Sequence, residues 1–258
     1  MDNKPTFSIV IPTYNNLELL QRALASASQQ QGVEMEIIVT DDSTNTAIAD
    51  YVASLNHPQL RYFHNQPGLG AVSNWNHGLS KAQGDYVILM HHDEAMTGED
   101  YLQRVQRLLD DGCDVVVSDV EDSINGIIKR RHFTTAIKRF FFRHPSLLFF
   151  TNAVGPCACV AFKRELIQDF NNQLHWLVDV EWYYRMFKGR HVIYNPQLTI
   201  RSIHGHKGQI TQELDIISTF AHDKAIVLGE YPHHIAIKTM LWTYQHLILN
   251  TKKKLGRI

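Results

Sequence analysis

Asp93 stands near the end of the most telling run in the chain, Gly84-Asp85-Tyr86-Val87-Ile88-Leu89-Met90-His91-His92-Asp93-Glu94. An almost unbroken apolar stretch stops in four polar groups able to bind a metal or a proton. A buried parallel strand that delivers ligands at its carboxyl end has this pattern. If the strand continues past Met90, His91 and Asp93 point the same way and His92 points the other. An imidazole beside a carboxylate suits manganese better than magnesium. Such an ion bridges two phosphates and stabilises charge on a leaving group. The competing reading is a polar loop that caps the next helix. A second acidic strand end, Asp41-Asp42, follows Glu36-Ile37-Ile38-Val39-Thr40. Two such ends suggest one cleft for a ligand with metal-bridged phosphates.

Other groups join this inventory. Asp41 and Asp42 either accept hydrogen bonds from a base or ribose, or cap the helix that begins near Thr46. After the first strand comes Pro12-Thr13-Tyr14-Asn15, where Tyr14 can stack on a base and Asn15 can cap the following helix. Asp179 and Glu181 are two apart on one helix and do not share a face, so only one aims into a cleft. Asp179 lies at the helix start, where the backbone dipole favours its ionised form, and an ionised carboxylate there can take a proton from a hydroxyl. Glu181 and Arg185 are spaced to pair. His204, His206, Lys207 and Gln209 share a Gly-containing loop that could close on a diphosphate, although no standard zinc spacing is present.

These groups need a frame. Strand-like runs at 7–11, 36–40, 60–64, 86–90 and 115–118 alternate with helical spacing at 17–30, 46–55, 70–79 and 100–109. That alternation argues a parallel sheet covered on both faces. The rhythm changes near Glu121. Asn125-Gly126 signals a hairpin, and residues 121–145 form the most basic internal segment, with Lys129, Arg130, Arg131, His132, Lys138 and Arg139. An apolar block follows from Leu147 to Phe162. Phe140-Phe141-Phe142 and Phe149-Phe150 read as core packing before they read as a lipid-facing surface. Two late helices are expected over Glu213–Leu228 and Ile235–Leu249.

The bulk numbers exclude several classes. The chain has 258 residues, 44% of them hydrophobic, with 25 basic and 26 acidic side chains and a formal charge of -1. No broad field for nucleic acid follows. The three cysteines are too few for a disulfide framework and read as buried thiols of a reducing compartment. No signal peptide is read, and no run approaches the roughly eighteen apolar residues that span a bilayer. A cytoplasmic protein is expected, with at most peripheral contact at the inner face of the membrane. The basic tail, Lys252-Lys253-Lys254 with Arg257, reads as a solvated helix end.

Taken in order, the motifs resemble the family 2 inverting glycosyltransferases with the GT-A fold. They run Ser8-Ile9-Val10-Ile11-Pro12-Thr13-Tyr14-Asn15, Val39-Thr40-Asp41-Asp42-Ser43, Asn65-Gln66-Pro67-Gly68-Leu69-Gly70, Asn74-Trp75-Asn76-His77-Gly78-Leu79, Gly84-Asp85-Tyr86, His91-His92-Asp93-Glu94, Asp179 six residues before Arg185, and Arg201-Ser202-Ile203-His204. The resemblance covers residues 6–100 strongly and 150–211 moderately. It implies an α/β fold, a Rossmann-like, mostly parallel sheet flanked by helices. A single catalytic domain is expected over 1–210, with a nucleotide-sugar-binding half at 1–120, an acceptor-binding half at 121–210 and a helical extension at 211–258. It also implies transfer of a sugar from a nucleotide diphosphate donor to a glycan or lipid-linked acceptor, with Mn2+ or Mg2+ as cofactor. Surface polysaccharide or lipopolysaccharide assembly is its family-level setting, and the oligomeric state stays open.

Carried over residue by residue, Pro12, Thr13, Tyr14, Asn15, Asp41, Asp42, Asn74, His91 and His92 fall at the nucleotide. Asp93, His91 and His204 fall at the metal, with His91 in place of the usual acid. Asp179 falls on the catalytic base, and Val178 replaces the acid that usually precedes it. Glu94, Trp182, Arg185, His206 and Gln209 fall at the acceptor or diphosphate. Rival readings are weaker. Gly68-Leu69-Gly70 before a helix lacks the third glycine of a dinucleotide fingerprint, because position 73 is Ser73. A nucleotidyltransferase would need a Gly-rich basic loop absent from 12–25. A pure interaction module has no use for acids at several strand ends. A relative that binds nucleotide sugar without catalysis is kept open by His91.

Overall fold

The computed structural model describes residues 5–124, 126–130, 133–206, 208 and 214–251. Contacts group the chain into two compact units, Met1–His132 with Val154–Phe170 and Arg190–His204, and Phe133–Ala153 with Asn171–Gly189 and Gly205–Ile258.

The first unit holds β1 (Phe7–Thr13), α1 (Leu17–Ser28), β2 (Met35–Asp41), α2 (Ala47–Leu55), β3 (Leu60–His64), α3 (Ala71–Ser80) and β4 (Tyr86–Leu89). It continues with β5 (Glu94–Met96), α4 (Tyr101–Asp110), β6 (Val115–Ile124), β7 (Ile127–Arg130), β8 (Val160–Lys163) and β9 (Val192–His204). All strands share one sheet in the order β3-β2-β1-β4-β8-β6-β9-β5, with β7 paired to β6. The expected parallel arrangement holds through β3-β2-β1-β4 and again for β6 with β9. β8 is antiparallel to both β4 and β6, and β5 is antiparallel to β9, so the sheet is mixed. Each early helix returns the chain to the same end of the sheet, which makes alternation a sound guide there. The apolar run of β8 carries no sign of its direction.

Every residue of β1 and β2 is buried, as a strand covered on both faces requires. Burial of each Ile or Val side chain contributes roughly 1.5–3 kcal/mol. Glu36 is tolerated inside because Ser8 Oγ donates to Oε1 at 2.6 Å and Arg61 to Oε2 at 2.5 Å. Gly84 lets β4 start flush against β1. A Cβ there would lie 2.6 Å from the backbone carbon of Phe7 and the nitrogen of Ser8. Helix α1 buries Leu19, Leu20, Ala23, Leu24 and Ala27, the spacing expected of one helical face.

The second unit holds α5 (Thr135–Arg143), α6 (Val178–Phe187), α7 (Ile216–Glu230) and α8 (Ile235–Thr243), with a π-helical segment over Tyr244–Leu249. The first late helix therefore begins later than expected; Glu213 lies outside the described residues, as do Asn125, Arg131, His132, Lys207, Gln209 and the basic tail. Phe142 packs edge-on to Phe187 at 5.3 Å and Phe149 lies 5.6 Å from Tyr184, so part of the aromatic block is core. Cys113, Cys157 and Cys159 are buried thiols. Among the described residues no helix is long and apolar enough to cross a membrane.

Candidate active site

The sheet carries β4 only to Leu89. Met90 N–H still donates to Val10 O at 2.8 Å, and then the chain turns, with Glu94 N–H donating to His91 O at 3.0 Å. The expected continuation of the strand through Asp93 is thus replaced by a tight turn. That turn still gathers the groups: ligand atoms of His91, Asp93 and Glu94 all lie within 4.8 Å of one another. The Asp93 carbonyl accepts from Ile203 N–H at 2.8 Å, which ties the turn to β9.

Glu94 is 3% exposed and faces His91. Its Oε2 accepts from His91 N–H at 3.0 Å and from Ala158 N–H at 3.2 Å, while Oε1 lies 3.2 Å from His91 Nδ1. Burial holds its carboxyl above the usual carboxylate range, and the adjacent His91 pulls against that rise. With three donors on two oxygens, Glu94 works through His91 instead of reaching outward as the acceptor or diphosphate contact expected of it. Trp75 fixes the other side of the imidazole, with ring centroids 4.6 Å apart, and is itself held edge-on by Phe170 at 5.4 Å. The His91 nitrogen and the Asp93 carboxylate, with Glu94 behind the imidazole, fit a divalent cation of the manganese type.

A second group sits at the end of β1. Thr13 Oγ1 lies 3.0 Å from His92 Nδ1, and Tyr14 N–H donates to the same nitrogen at 3.4 Å. Pro12 is buried beside Thr40, whereas the Tyr14 ring is 53% exposed. Asn15 does not cap α1. That role belongs to Asn16, whose Oδ1 accepts from Leu19 N–H at 3.1 Å. Asn15 instead has φ 47 and links to the β2 loop, accepting from Thr44 N–H at 3.0 Å.

The acids after β2 do not cap α2 either. Asp41 is buried, accepting from Ser43 N–H at 2.8 Å and from the Tyr62 hydroxyl at 2.7 Å. Burial, with the Asp41 carboxylate beside it, pushes the Tyr62 phenol well above its usual range. Asp42 accepts from Leu69 N–H at 3.1 Å, Gly70 N–H at 2.8 Å and Asn65 Nδ2 at 2.7 Å. Gly70 takes φ 84 at the start of α3, a region glycine enters without steric cost. Asn65 Nδ2 also donates to Asn74 Oδ1 at 2.9 Å, and Asn74 Nδ2 donates to Thr40 O at 3.1 Å. Asp41, Asp42 and Asn74 therefore lock the loops that present Thr13 and Tyr14.

His204, the last residue of β9, stands outside the His91–Asp93–Glu94 group. Its Nε2 lies 3.0 Å from Asp122 Oδ1 on β6. His206 is half-buried, and Gln209 lies outside the described residues.

In the second unit, Asp179 occupies the first turn of α6 and is half-buried. Glu181 turns inward, as their spacing requires. It is buried and accepts from Arg185 Nε at 2.7 Å and from a terminal guanidinium nitrogen at 2.8 Å, while the Tyr231 hydroxyl donates to it at 2.6 Å. Arg185 is committed to this bidentate pair, and Trp182 is fully buried. Trp182 therefore offers no surface to an acceptor, whereas Arg185 stays half-buried beside Glu181.

Residues 8–170 match the family model described as glycosyl transferase family 2, more than half of the chain. The chain belongs to glycosyltransferase family 2. An uncharacterised protein of Mycobacterium tuberculosis is 31% identical over 215 residues, covering 77% of this chain and 67% of that one. The Campylobacter jejuni GalNAc(5)-diNAcBac-PP-undecaprenol beta-1,3-glucosyltransferase is 33% identical over 95 residues, covering 36% of this chain and 31% of that one, so the match spans about a third of its length. Among solved structures, S. aureus TarS in complex with UDP-GlcNAc superposes with a TM-score of 0.70 at 15% identity, covering 93% of this chain and 71% of that one. That likeness shows the shared fold, the GT-A arrangement the motifs implied.

Two residues of this glycosyltransferase escaped the sequence reading. Asp122, the partner of His204, continues β6 past Ser118, and its alternation with Ser118 and Val120 was the available signal. Asp223, on α7, accepts backbone N–H groups of His175 at 2.9 Å, Trp176 at 2.6 Å and Leu177 at 2.8 Å on one oxygen. Nothing in the sequence ties it to a loop so far upstream.

Proposed function

We propose that this glycosyltransferase is an inverting enzyme. It moves a sugar from a nucleotide diphosphate donor to a hydroxyl of a glycan or lipid-linked acceptor, in the assembly of bacterial surface polysaccharide or lipopolysaccharide. The gathering of His91, Asp93 and Glu94 at the end of β4 carries this reading. A nucleoside lies against Thr13, Tyr14 and His92. His91 and Asp93 would hold a divalent cation, Mn2+ or Mg2+, which would neutralise charge on the diphosphate. Asp179 takes the proton of the acceptor hydroxyl. The hydroxyl oxygen attacks the anomeric carbon from the side opposite the diphosphate, and the bond from that carbon to the diphosphate oxygen breaks. The nucleoside diphosphate departs with the electron pair, and His204 donates to its phosphates. The relative named for transfer to a PP-undecaprenol-linked glycan supports the acceptor class.

The test is Asp179→Asn, with donor binding and transfer measured separately. Transfer falls by about 10³-fold or more while donor affinity is kept, because removing a general base deletes an interaction made only in the transition state. Wild-type turnover in this variant would refute the assignment. The second reading, a nucleotide-sugar binder without catalysis, is favoured by His91 in place of an acid. Donor binding with neither transfer nor donor hydrolysis across a panel of donors and acceptors would decide for it.

A further inference from the structure

The β6–β7 hairpin carries an apolar tip on a cationic stem, and the activity proposed above makes no use of it. Ile124 pairs with Ile127, and Ser123 with Ile128. All four residues of β7 are exposed. Ile127 is 61% exposed and Ile128 49%, and as consecutive strand residues they point to opposite faces. A hairpin that is apolar on both faces at its tip has no core of its own to cover.

Charge identifies what covers it. From Ile124 to His144 the sequence holds Lys129, Arg130, Arg131, Lys138, Arg139 and Arg143, and no Asp or Glu, in a chain whose net charge is -1; of these Lys138 is buried and adds nothing to the surface charge. The nearest acids, at the hairpin base, are already matched: Glu121 faces Arg130 at 3.4 Å and Arg201 at 3.2 Å, and Asp122 faces His204 at 3.0 Å. The tip therefore projects apolar side chains ahead of a positive surplus. The next helix, in the second unit, repeats the combination by itself. In α5 Phe142 turns inward, while Phe140 is 56% exposed and Arg139 and Arg143 are exposed beside it.

A second copy of this chain is the poorer occupant. β7 is a short edge strand that carries Lys129 and Arg130, features that discourage edge-to-edge pairing, and two such segments would bring like charge together. An anionic bilayer surface meets both requirements at once. Its headgroups attract the cations, and its interface accepts isoleucine side chains to a shallow depth.

We propose that the β6–β7 hairpin docks this glycosyltransferase on an anionic lipid surface, with Ile127 and Ile128 inserted at the interface and Lys129 and its cationic neighbours on the headgroups. The experiment is co-sedimentation of the full chain with vesicles of phosphatidylcholine alone or mixed with phosphatidylglycerol, across a salt series. Binding is expected only to the mixed vesicles. It should weaken severalfold as salt rises, since surface charges are screened beyond about 10 Å at 0.1 M. The double variant Ile127→Ser with Ile128→Ser should bind about tenfold more weakly, and Lys129→Glu severalfold more weakly. Both should keep wild-type nucleotide binding and melting temperature, because the altered side chains are exposed. Three outcomes would overturn the proposal: equal binding to both vesicle types, no loss in the isoleucine variant, or a dimer in solution that Ile127→Ser with Ile128→Ser converts to a monomer. Lys129→Glu, a charge reversal at an exposed position, carries the test even if the isoleucine variant fails to fold, and unchanged vesicle binding in it would overturn the proposal as well.

Discussion

In the proposed metal site, His91 differs from a second carboxylate in charge as well as in atom type. An imidazole contributes a neutral nitrogen, so a cation held by His91 and Asp93 sees one negative charge fewer than it would between two aspartates. Glu94 partly restores that charge from behind, and Trp75 fixes the ring plane. A carboxylate that orients a ligating histidine in this way sets which nitrogen faces the ligand and raises its basicity. Nitrogen donors favour manganese over magnesium. The expected outcome for His91→Asp is that the Mn2+ to Mg2+ affinity ratio falls by roughly tenfold, the upper range for disturbing a metal's close surroundings being about 100-fold. Calorimetric titration of each ion, without any turnover assay, measures it, and an unchanged ratio would remove His91 from the ligand set. His91 and Asp93 stood out in the sequence because an apolar run ended on them. The inward role of Glu94 did not, because Ala158, its other partner, lies 64 positions away and only the folded sheet joins them.

At the scale of elements, α6 is placed by a residue outside it. One oxygen of Asp223, fully buried on α7, accepts three successive N–H groups from the turn that enters α6. Consecutive backbone N–H groups make a concave anion site, and here a side chain of the same unit fills it. Asp179 follows in the first helical turn, so Asp223 sets where the proposed base begins. Asp223→Ala leaves three donors, that of Leu177 buried and the other two partly so, without their acceptor and should destabilise the protein by roughly 2 kcal/mol. Asp223→Asn keeps one acceptor oxygen and should lose about half as much. Urea denaturation of the two variants checks this, and equal small losses in both would show that the N–H groups have other acceptors. Local pattern announced α1, whose buried face recurs every three or four residues, and it located the hairpin at Gly126. It missed the helix entry at 175–177 because that turn is held by tertiary contact. It also assigned Asp41 and Asp42 as possible caps, since capping and loop-bracing draw on the same residue types.

At the scale of the whole molecule, alternation of strand and helix made the first hundred residues readable as one sheet. In the second unit the late helices were readable but their packing was not, because the unit is assembled from three separated segments joined by contacts such as Phe142 with Phe187. Burial across both units has a consequence that acts on the fold as a whole. It pushes the Cys113 thiol up to about 11 and the phenols of Tyr62, Tyr86, Tyr101, Tyr194 and Tyr231 well above their usual range. Hydrogen bonds to Asp41 and Glu181 add to the rise at Tyr62 and Tyr231. In the unfolded chain a thiol ionises near about 8.5 and a phenol near about 10. Above those values the unfolded chain has released protons that the folded chain still holds. Stability contributed by these groups is therefore complete below the unfolded values and declines as pH rises toward the folded ones. The urea midpoint should stay level up to about pH 8 and then fall steadily to about pH 11. Tyr231→Phe should flatten the upper part of that fall, since it removes one phenol that stays protonated only in the folded state. A midpoint that holds constant across this range would mean that these side chains meet water in the folded protein as freely as in the unfolded chain.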